Sequence, residues 1–381
     1  MPRKLRVVAV SSATFLFLWL IAGEVGSLGY QESTSYNFSR KFQIIWNVPT
    51  FMCHKYGLDF SQVSTKFGFS QNEGDEFRGD KIALLYDPGY FPAMLKDDEG
   101  NYAHRNGGVP QEGNLTLHLE YLSRNITEQI PDEDFSGLAV IDFESWRPVF
   151  RQNWASLQVY REFSFEIERK RHPFWSERSI QKEASDRFEH FGQIFMERSI
   201  ELAQNLRPYA TWAYYAYPYC FNWTPNQNTP QCSSKAINEN DQMSWLFGNA
   251  KLMLPSVYLQ QRLERKQRIT LVRNRVGEAM RLAKKSQLRE EVNVYAYYWY
   301  KYQDDRDSFV DKHDLTSTIS EIAKRGANGV IIWGSSNDVD SESKCYSFHE
   351  YFMQTLGPTL KRLQREFSMP TSTFNQYHFT E

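Results

Sequence analysis

The sequence predicts an α/β protein, a single domain in which parallel strands alternate with helices and close into a barrel. Three observations carry that prediction. Seven short runs rich in β-branched and aromatic residues recur along the chain, and several are apolar without alternation, as strands buried on both faces should be. Helix-period segments lie between them, and strand–helix alternation over a whole chain builds a parallel sheet. No G-x-G-x-x-G or G-x-x-x-x-G-K-[ST] string follows a strand, which favours a barrel over a doubly wound nucleotide binder.

In chain order the strands are expected at Phe42–Val48, Ile82–Tyr86, Leu138–Phe143, Ala210–Tyr217, Met253–Leu259, Val292–Trp299 and Val330–Trp333. Helices are expected near Leu115–Gln129, Trp154–Arg169, Ile180–Leu206, Thr270–Lys285 and Asp314–Lys324. The second strand runs into the turn sequence Tyr86-Asp87-Pro88-Gly89, and the last helix has Asp314 as its expected N-cap and Gly326 just past its end. No repeat of 20–50 residues and no low-complexity linker interrupts the pattern, and the segment after about Phe367 shows none.

Composition narrows the function. The chain has 381 residues, with 44 Lys+Arg against 46 Asp+Glu, which excludes a nucleic-acid binder driven by bulk positive charge. A mean hydropathy of -0.60 excludes a multi-span membrane protein. Aromatics are abundant, with 10 Trp, 22 Tyr and 27 Phe.

Arg3, Lys4 and Arg6 precede the uncharged, mostly apolar run Val7–Ala22, and small residues follow at Gly23, Gly26, Ser27 and Gly29. That order reads as a secretory signal peptide, and a run of about 16 residues is short for the roughly 20 that span a bilayer. Residues 1–28 are therefore expected to be a signal peptide, cleaved between Ala22 and Tyr30, and 29–381 one catalytic domain. The product would be secreted and extracellular, without a membrane span. Four N-x-[ST] sequons, at Asn37, Asn114, Asn125 and Asn222, agree with secretion and glycosylation.

The cysteines are Cys53, Cys220, Cys232 and Cys345, with no C-x-x-C. In an oxidising compartment they suggest two disulfides. Cys53 follows the first strand and Cys345 the last. Those strands are neighbours in a closed barrel, so Cys53–Cys345 is expected, leaving Cys220–Cys232 to close a local loop.

The chemistry centres on Gly137-Leu-Ala-Val-Ile-Asp-Phe-Glu-Ser-Trp-Arg147. An apolar strand runs into Asp142 and Glu144, two residues apart and therefore facing the same side. They would project at the strand's C-terminal end, where barrel enzymes place their chemistry. Neighbouring carboxyls resist double ionisation, and a protonated acid beside a carboxylate suits glycoside hydrolysis. On spacing alone, a surface or ion-paired Asp-x-Glu, for instance one held by Arg147, fits better. Other strand ends carry Tyr86, Tyr215, Tyr258, Trp299, Trp333 and Ser335, a rim of rings and hydroxyls suited to sugar faces.

With these strings in view, the chain resembles the hyaluronidases, most closely the insect venom type. The resemblance runs from about Phe42 to Gly357. It rests on Trp46-Asn-Val-Pro-Thr-Phe-Met-Cys-His-Lys-Tyr-Gly57, Leu85-Tyr-Asp-Pro-Gly89, Asn106-Gly-Gly-Val-Pro-Gln111, Val140-Ile-Asp-Phe-Glu-Ser-Trp-Arg-Pro148, Tyr214-Tyr-Ala-Tyr-Pro-Tyr-Cys220 and Ile332-Trp-Gly-Ser-Ser336. It implies a distorted TIM-like barrel of about seven strands. It also implies an endo-β-N-acetylhexosaminidase that cuts hyaluronan with retention, and the two disulfides above match its pattern. By resemblance, Glu144 is the general acid–base, Asp142 holds it, and Tyr215 polarises the substrate's acetamido carbonyl, the internal nucleophile. Tyr86, Asp87, Tyr258, Trp333 and Ser335 match subsite positions, and Arg275 matches a groove arginine. Arg147 is a second candidate cation for the polymer's carboxylates, which a local field can steer despite a net charge of -2. The basic run Arg262–Arg268 reads as a solvated helix face. The expected partner is hyaluronan or a related glycosaminoglycan acting on a monomer, with no cofactor, metal or nucleic acid. A chondroitin-preferring hydrolase and a non-catalytic glycosaminoglycan binder on the same scaffold stay open.

Overall fold

The structure, a computed structural model, describes residues 41–368 apart from 226, 249, 287, 289 and 290. The expected signal peptide, the Asn37 sequon and the segment beyond residue 368 lie outside the described residues.

Among the described residues eleven strands occur in chain order: β1 (Gln43–Asn47), β2 (Ile82–Tyr86), β3 (Ala93–Lys96), β4 (Tyr102–Arg105), β5 (Leu138–Asp142), β6 (Thr211–Ala216), β7 (Leu252–Pro255), β8 (Asn293–Trp299), β9 (Lys301–Tyr302), β10 (Asp305–Phe309) and β11 (Gly329–Trp333). Seven form one parallel sheet in the order β1-β11-β8-β7-β6-β5-β2. These are the seven expected strands, and first and last are paired as closure requires, Trp46 opposite Ile332 and Asn47 opposite Trp333. They read as uninterrupted apolar runs because both faces are covered. Ile44, Leu85, Val140, Val294, Ile331 and Ile332 are all fully buried.

The ring is nearly closed, and its seam lies between β1 and β2, which share no ladder. Ser70 fills part of the gap. Its N–H donates to Ile44 O at 2.9 Å, and its carbonyl accepts from Trp46 N at 2.8 Å. Two residues on, the Asn72 side chain accepts from the N–H groups of Lys81 and Ile82 and donates to Ile82 O, at 2.8–2.9 Å. One bridging residue and one buried amide thus satisfy backbone groups that an eighth strand would otherwise satisfy.

Helices cover the outside. Leu115–Gln129 forms as expected, capped by Asn114, whose Oδ1 accepts from Leu117 N at 3.0 Å. It buries His118, Leu122 and Ile126, each one turn apart. The 30-residue helix Glu177–Leu206 lies against it and against Gln158–Arg171. At Lys312–Lys324 the cap is Asp311, not Asp314. Asp314 is buried instead, its carboxylate accepting from Arg265, Arg268 and Tyr302, long-range partners that local spacing does not reveal. The expected strand over Met253–Leu259 ends at Pro255, after which Ser256 makes only an isolated bridge to Tyr297. The hairpins β3–β4 and β9–β10 were not expected. β3, β4 and β10 are short and largely exposed, so burial leaves little trace in their sequences, and β9, though buried, is two residues long.

Both disulfides pair as closure predicts. Cys53, in the turn after β1, meets Cys345, in the helix after β11, with Cα atoms 5.6 Å apart. Cys220 meets Cys232 at 4.7 Å.

Candidate active site

Because the seven strands are parallel, their C-terminal ends open on one rim, and β5 delivers the carboxyls there. Asp142 is its last residue, paired with Tyr86 of β2, and Glu144 stands two residues on. Phe143 between them points the other way. It is buried, stacked on Phe91 with centroids 4.0 Å apart and edge-on to Trp146 at 4.8 Å. That anchor leaves Asp142 and Glu144 on the same side, toward the rim. Neither carboxyl takes a hydrogen bond from another described residue, and no ion pair with Arg147 forms.

Their surroundings raise both pKa values. Burial, the Glu144 charge and the Asp87 charge push Asp142 up to about 8. Burial also raises Glu144, opposed by the charge of Arg147. Such a pair releases its protons in two coupled steps, and the second is held back past neutrality.

Tyr215, near the end of β6, packs edge-on against Tyr297 at 5.0 Å and donates its hydroxyl to Ser256 Oγ at 3.2 Å. Burial, and then the charge of Glu144, holds its phenol protonated. Tyr258 stacks on Trp333 at 5.5 Å, and Trp333 stands edge-on to Trp299 at 5.4 Å. Glu144, Arg147, Tyr215 and Tyr258 line one cavity of 290 Å³. Three larger cavities lie elsewhere among the described residues; one of 430 Å³ is at the opposite end of β6, around Thr211 and Trp212, away from the carboxyl pair.

The remaining expected residues divide. Tyr86 is exposed on the rim, and Ser335 lies beside Trp333. Asp87 reaches the rim, but its carboxylate is held by both Nη atoms of Arg105, at 2.5 and 2.9 Å. Arg147 lies over the rings of Trp154, Tyr219 and Phe221, 5.0–5.5 Å from their centroids, beside Glu144. Arg275 lines the cavity with its donors occupied. Nε and Nη2 donate to Asn222, and Nη1 donates to Ser256 O at 2.9 Å. In the basic run, Arg265 and Arg268 are neutralised by Asp314, and Arg262 lies 4.0 Å from Asp304. Spacing missed Arg105 and the aromatic cage around Arg147, since nothing local marks them as neighbours of the carboxyls.

Among the sequons, Asn114 is exposed and Asn125 half-buried, whereas Asn222 is fully buried and its Nδ2 donates to Pro230 O and Leu271 O. No helix among the described residues is long and apolar enough to cross a membrane.

Comparison with known proteins places this geometry. The hyaluronidase of Apis mellifera is 53% identical over 338 residues, covering 88% of each chain. The crystal structure of bee venom hyaluronidase in complex with a hyaluronic acid tetramer superposes with a TM-score of 0.83 at 54% identity, covering 84% of this chain and 99% of that one. A Vespula vulgaris protein described as inactive hyaluronidase B is 41% identical over 317 residues, 83% of this chain and 92% of its own length. The profile of the family described as hyaluronidase, glycoside hydrolase family 56, matches residues 32–375, and the chain belongs to that family.

Proposed function

We propose that this protein is a secreted endo-β-N-acetylhexosaminidase. It cuts the β-1,4 bonds of hyaluronan between N-acetylglucosamine and glucuronate with retention, by substrate-assisted catalysis. One observation carries the reading: Asp142 and Glu144, neither taking a hydrogen bond from a described residue and both raised in pKa by burial, stand at the rim where Glu144 and Tyr215 line a ring-walled cleft. The tetramer bound to the bee venom protein agrees with the polymer assigned here.

Glu144 protonates the glycosidic oxygen as the bond to the leaving sugar breaks, and its carboxylate then takes a proton from the incoming water. The nucleophile is the acetamido carbonyl oxygen of the substrate, which closes on the anomeric carbon to give an oxazolinium. Asp142 steadies the acetamido N–H as positive charge develops there, and the Tyr215 hydroxyl orients the acetamido carbonyl. Arg275 is a positioning residue. It fixes the Ser256 backbone, whose side chain holds the Tyr215 hydroxyl. Among the sequons in the described residues, Asn114 and Asn125 keep their amide nitrogens available for glycans, and Asn222 stays unmodified.

Digestion of purified hyaluronan tests the reading. Even-numbered oligosaccharides with N-acetylglucosamine at the new reducing end, released first as the β-anomer, are expected. Polymer that is bound but not shortened would leave a non-catalytic binder. Faster cutting of unsulfated chondroitin than of hyaluronan would reassign the substrate.

A further inference from the structure

The cleft continues past the carboxyl pair. Beyond Tyr86 and Trp333 lies a second cavity, of 370 Å³, lined by Phe51, Phe77, Arg78 and Ser335 among others. Its wall is aromatic. Phe77 stacks on Tyr86 with centroids 5.9 Å apart and planes 10° from parallel, and Phe51 is 44% exposed. Neighbouring rings of this kind offer apolar sugar faces a platform.

Arg78 is unusual in this setting. Its guanidinium lies over the Phe77 ring at 5.4 Å, and its Nε donates to Leu84 O at 2.8 Å. No described carboxylate pairs with it, and neither Nη atom donates to a described residue. Two other half-buried arginines, Arg147 and Arg161, also lie over rings without a described carboxylate partner, Arg147 with Nη1 on Gln152 O and Arg161 over Phe150 away from this cavity, but several differ. Arg105, Arg187, Arg268 and Arg281 all have carboxylate partners, and Arg275 is satisfied by backbone and amide oxygens. A half-buried cation without a counter-charge carries a desolvation cost that an arriving anion offsets. The planar fork of two free Nη atoms matches a carboxylate.

We infer that Arg78 and the Phe77–Tyr86 stack form a uronate subsite, in which the Arg78 guanidinium binds the carboxylate of a glucuronate in the polymer. It rests on the hyaluronan-cutting reading above. Arg147 lies at the other cavity, so the two cations flank the carboxyl pair. A polymer with one carboxylate per disaccharide would be gripped on both sides of the bond to be cut.

The test compares hyaluronan oligosaccharides with the same oligosaccharides methyl-esterified at every uronate. Wild type, Arg78→Met and Arg78→Lys are assayed on both. A charge-assisted contact of this kind predicts that Arg78→Met loses about tenfold in kcat/KM on hyaluronan, mainly through KM. On the ester, Arg78→Met and wild type should agree within about twofold, because the contact is already gone. Arg78→Lys keeps the cation and should retain most of the preference for free acid. Equal losses on acid and ester would overturn the subsite and leave Arg78 as a tie to Leu84. If Arg78→Met does not fold, Arg78→Gln takes its place: a loss on the acid with none on the ester supports the subsite, and equal losses on both overturn it. A wild type inert on hyaluronan would refute the enzymatic reading itself, whereas an active wild type with equal losses refutes only the role of Arg78.

Discussion

The indole Nε1 of Trp333 donates to the hydroxyl of Tyr86 at 2.9 Å, across 247 residues of sequence. Trp333 ends β11 and Tyr86 ends β2, and between those strands stand β1 and the unpaired seam. The bond therefore spans the weakest part of the ring at the rim where the chemistry sits. It also separates the cavity holding Glu144 from the one holding Arg78. Trp333→Phe keeps the stack on Tyr258 but removes the donor. It is expected to raise KM for hyaluronan roughly threefold to tenfold, in line with loss of one partly exposed hydrogen bond and its positioning effect. Steady-state kinetics check this against an unchanged circular dichroism spectrum.

Asp142 exchanges stability for function. Its folded pKa of about 8 lies above the ordinary 3.8, so the folded state binds the proton more tightly than the unfolded chain does. Its contribution is complete below about pH 4 and is lost as pH rises through about 8. Asp142→Asn removes that loss. The variant should melt higher than wild type at pH 8, by on the order of 2 °C, with no gain at pH 4. Scanning calorimetry at the two pH values measures it, and activity should fall at least a hundredfold. An equal shift at both pH values would show that Asp142 is not proton-linked to folding.

Tyr215→Phe keeps the ring against Tyr297 and removes the hydroxyl. Loss of one group aimed at the reacting carbonyl predicts a drop in kcat of about 100-fold with little change in KM. Arg275→Met should produce a milder form of the same split, because it acts only by holding Ser256 in place. A change confined to KM in either variant would move both residues from the chemistry to substrate binding.

Cys53–Cys345 closes a loop of 292 residues and Cys220–Cys232 one of 12. The loop-entropy treatment gives about 5 kcal/mol for the first and about 3 kcal/mol for the second. Replacing the Cys53–Cys345 pair with serine should lower the melting temperature more than replacing the Cys220–Cys232 pair. Differential scanning fluorimetry on the two double variants ranks them.

Asn222 donates both amide hydrogens to carbonyls and accepts from Arg275, so a glycan there would break the brace that supports Ser256. Peptide mapping of protein secreted from insect cells should find glycan at Asn114 and Asn125 and an unmodified Asn222. Full occupancy at Asn222 would contradict the packing around Arg275.

Much of the barrel was legible in the sequence because a strand buried on both faces has no polar alternation to hide it. Closure then paired the cysteines. Asp142 and Glu144 stood out because period-two geometry needs only three consecutive residues. Three features were not legible. The seam depends on Ser70 and Asn72, which look like ordinary loop residues. The cap of the helix at Lys312–Lys324 moved from Asp314 to Asp311 because three distant partners claim Asp314. Arg275 and Arg78 also carry no local mark of their environments. Whether a guanidinium is satisfied by carbonyls or left facing a cavity depends on residues tens of positions away, at Asn222 and Ser256 for one and at Leu84 and Phe77 for the other.

The most direct test of the carboxyl chemistry is the rate at which purified Glu144→Gln protein shortens hyaluronan, measured by size-exclusion chromatography against wild type at the same concentration. The Glu144 side chain has no hydrogen bond to another described residue to lose, so the variant should fold and melt as wild type does. Loss of the general acid predicts a fall in kcat of about 1,000-fold or more. Cutting at a rate within tenfold of wild type by a variant free of contaminating enzyme would contradict the assignment of Glu144 as the acid.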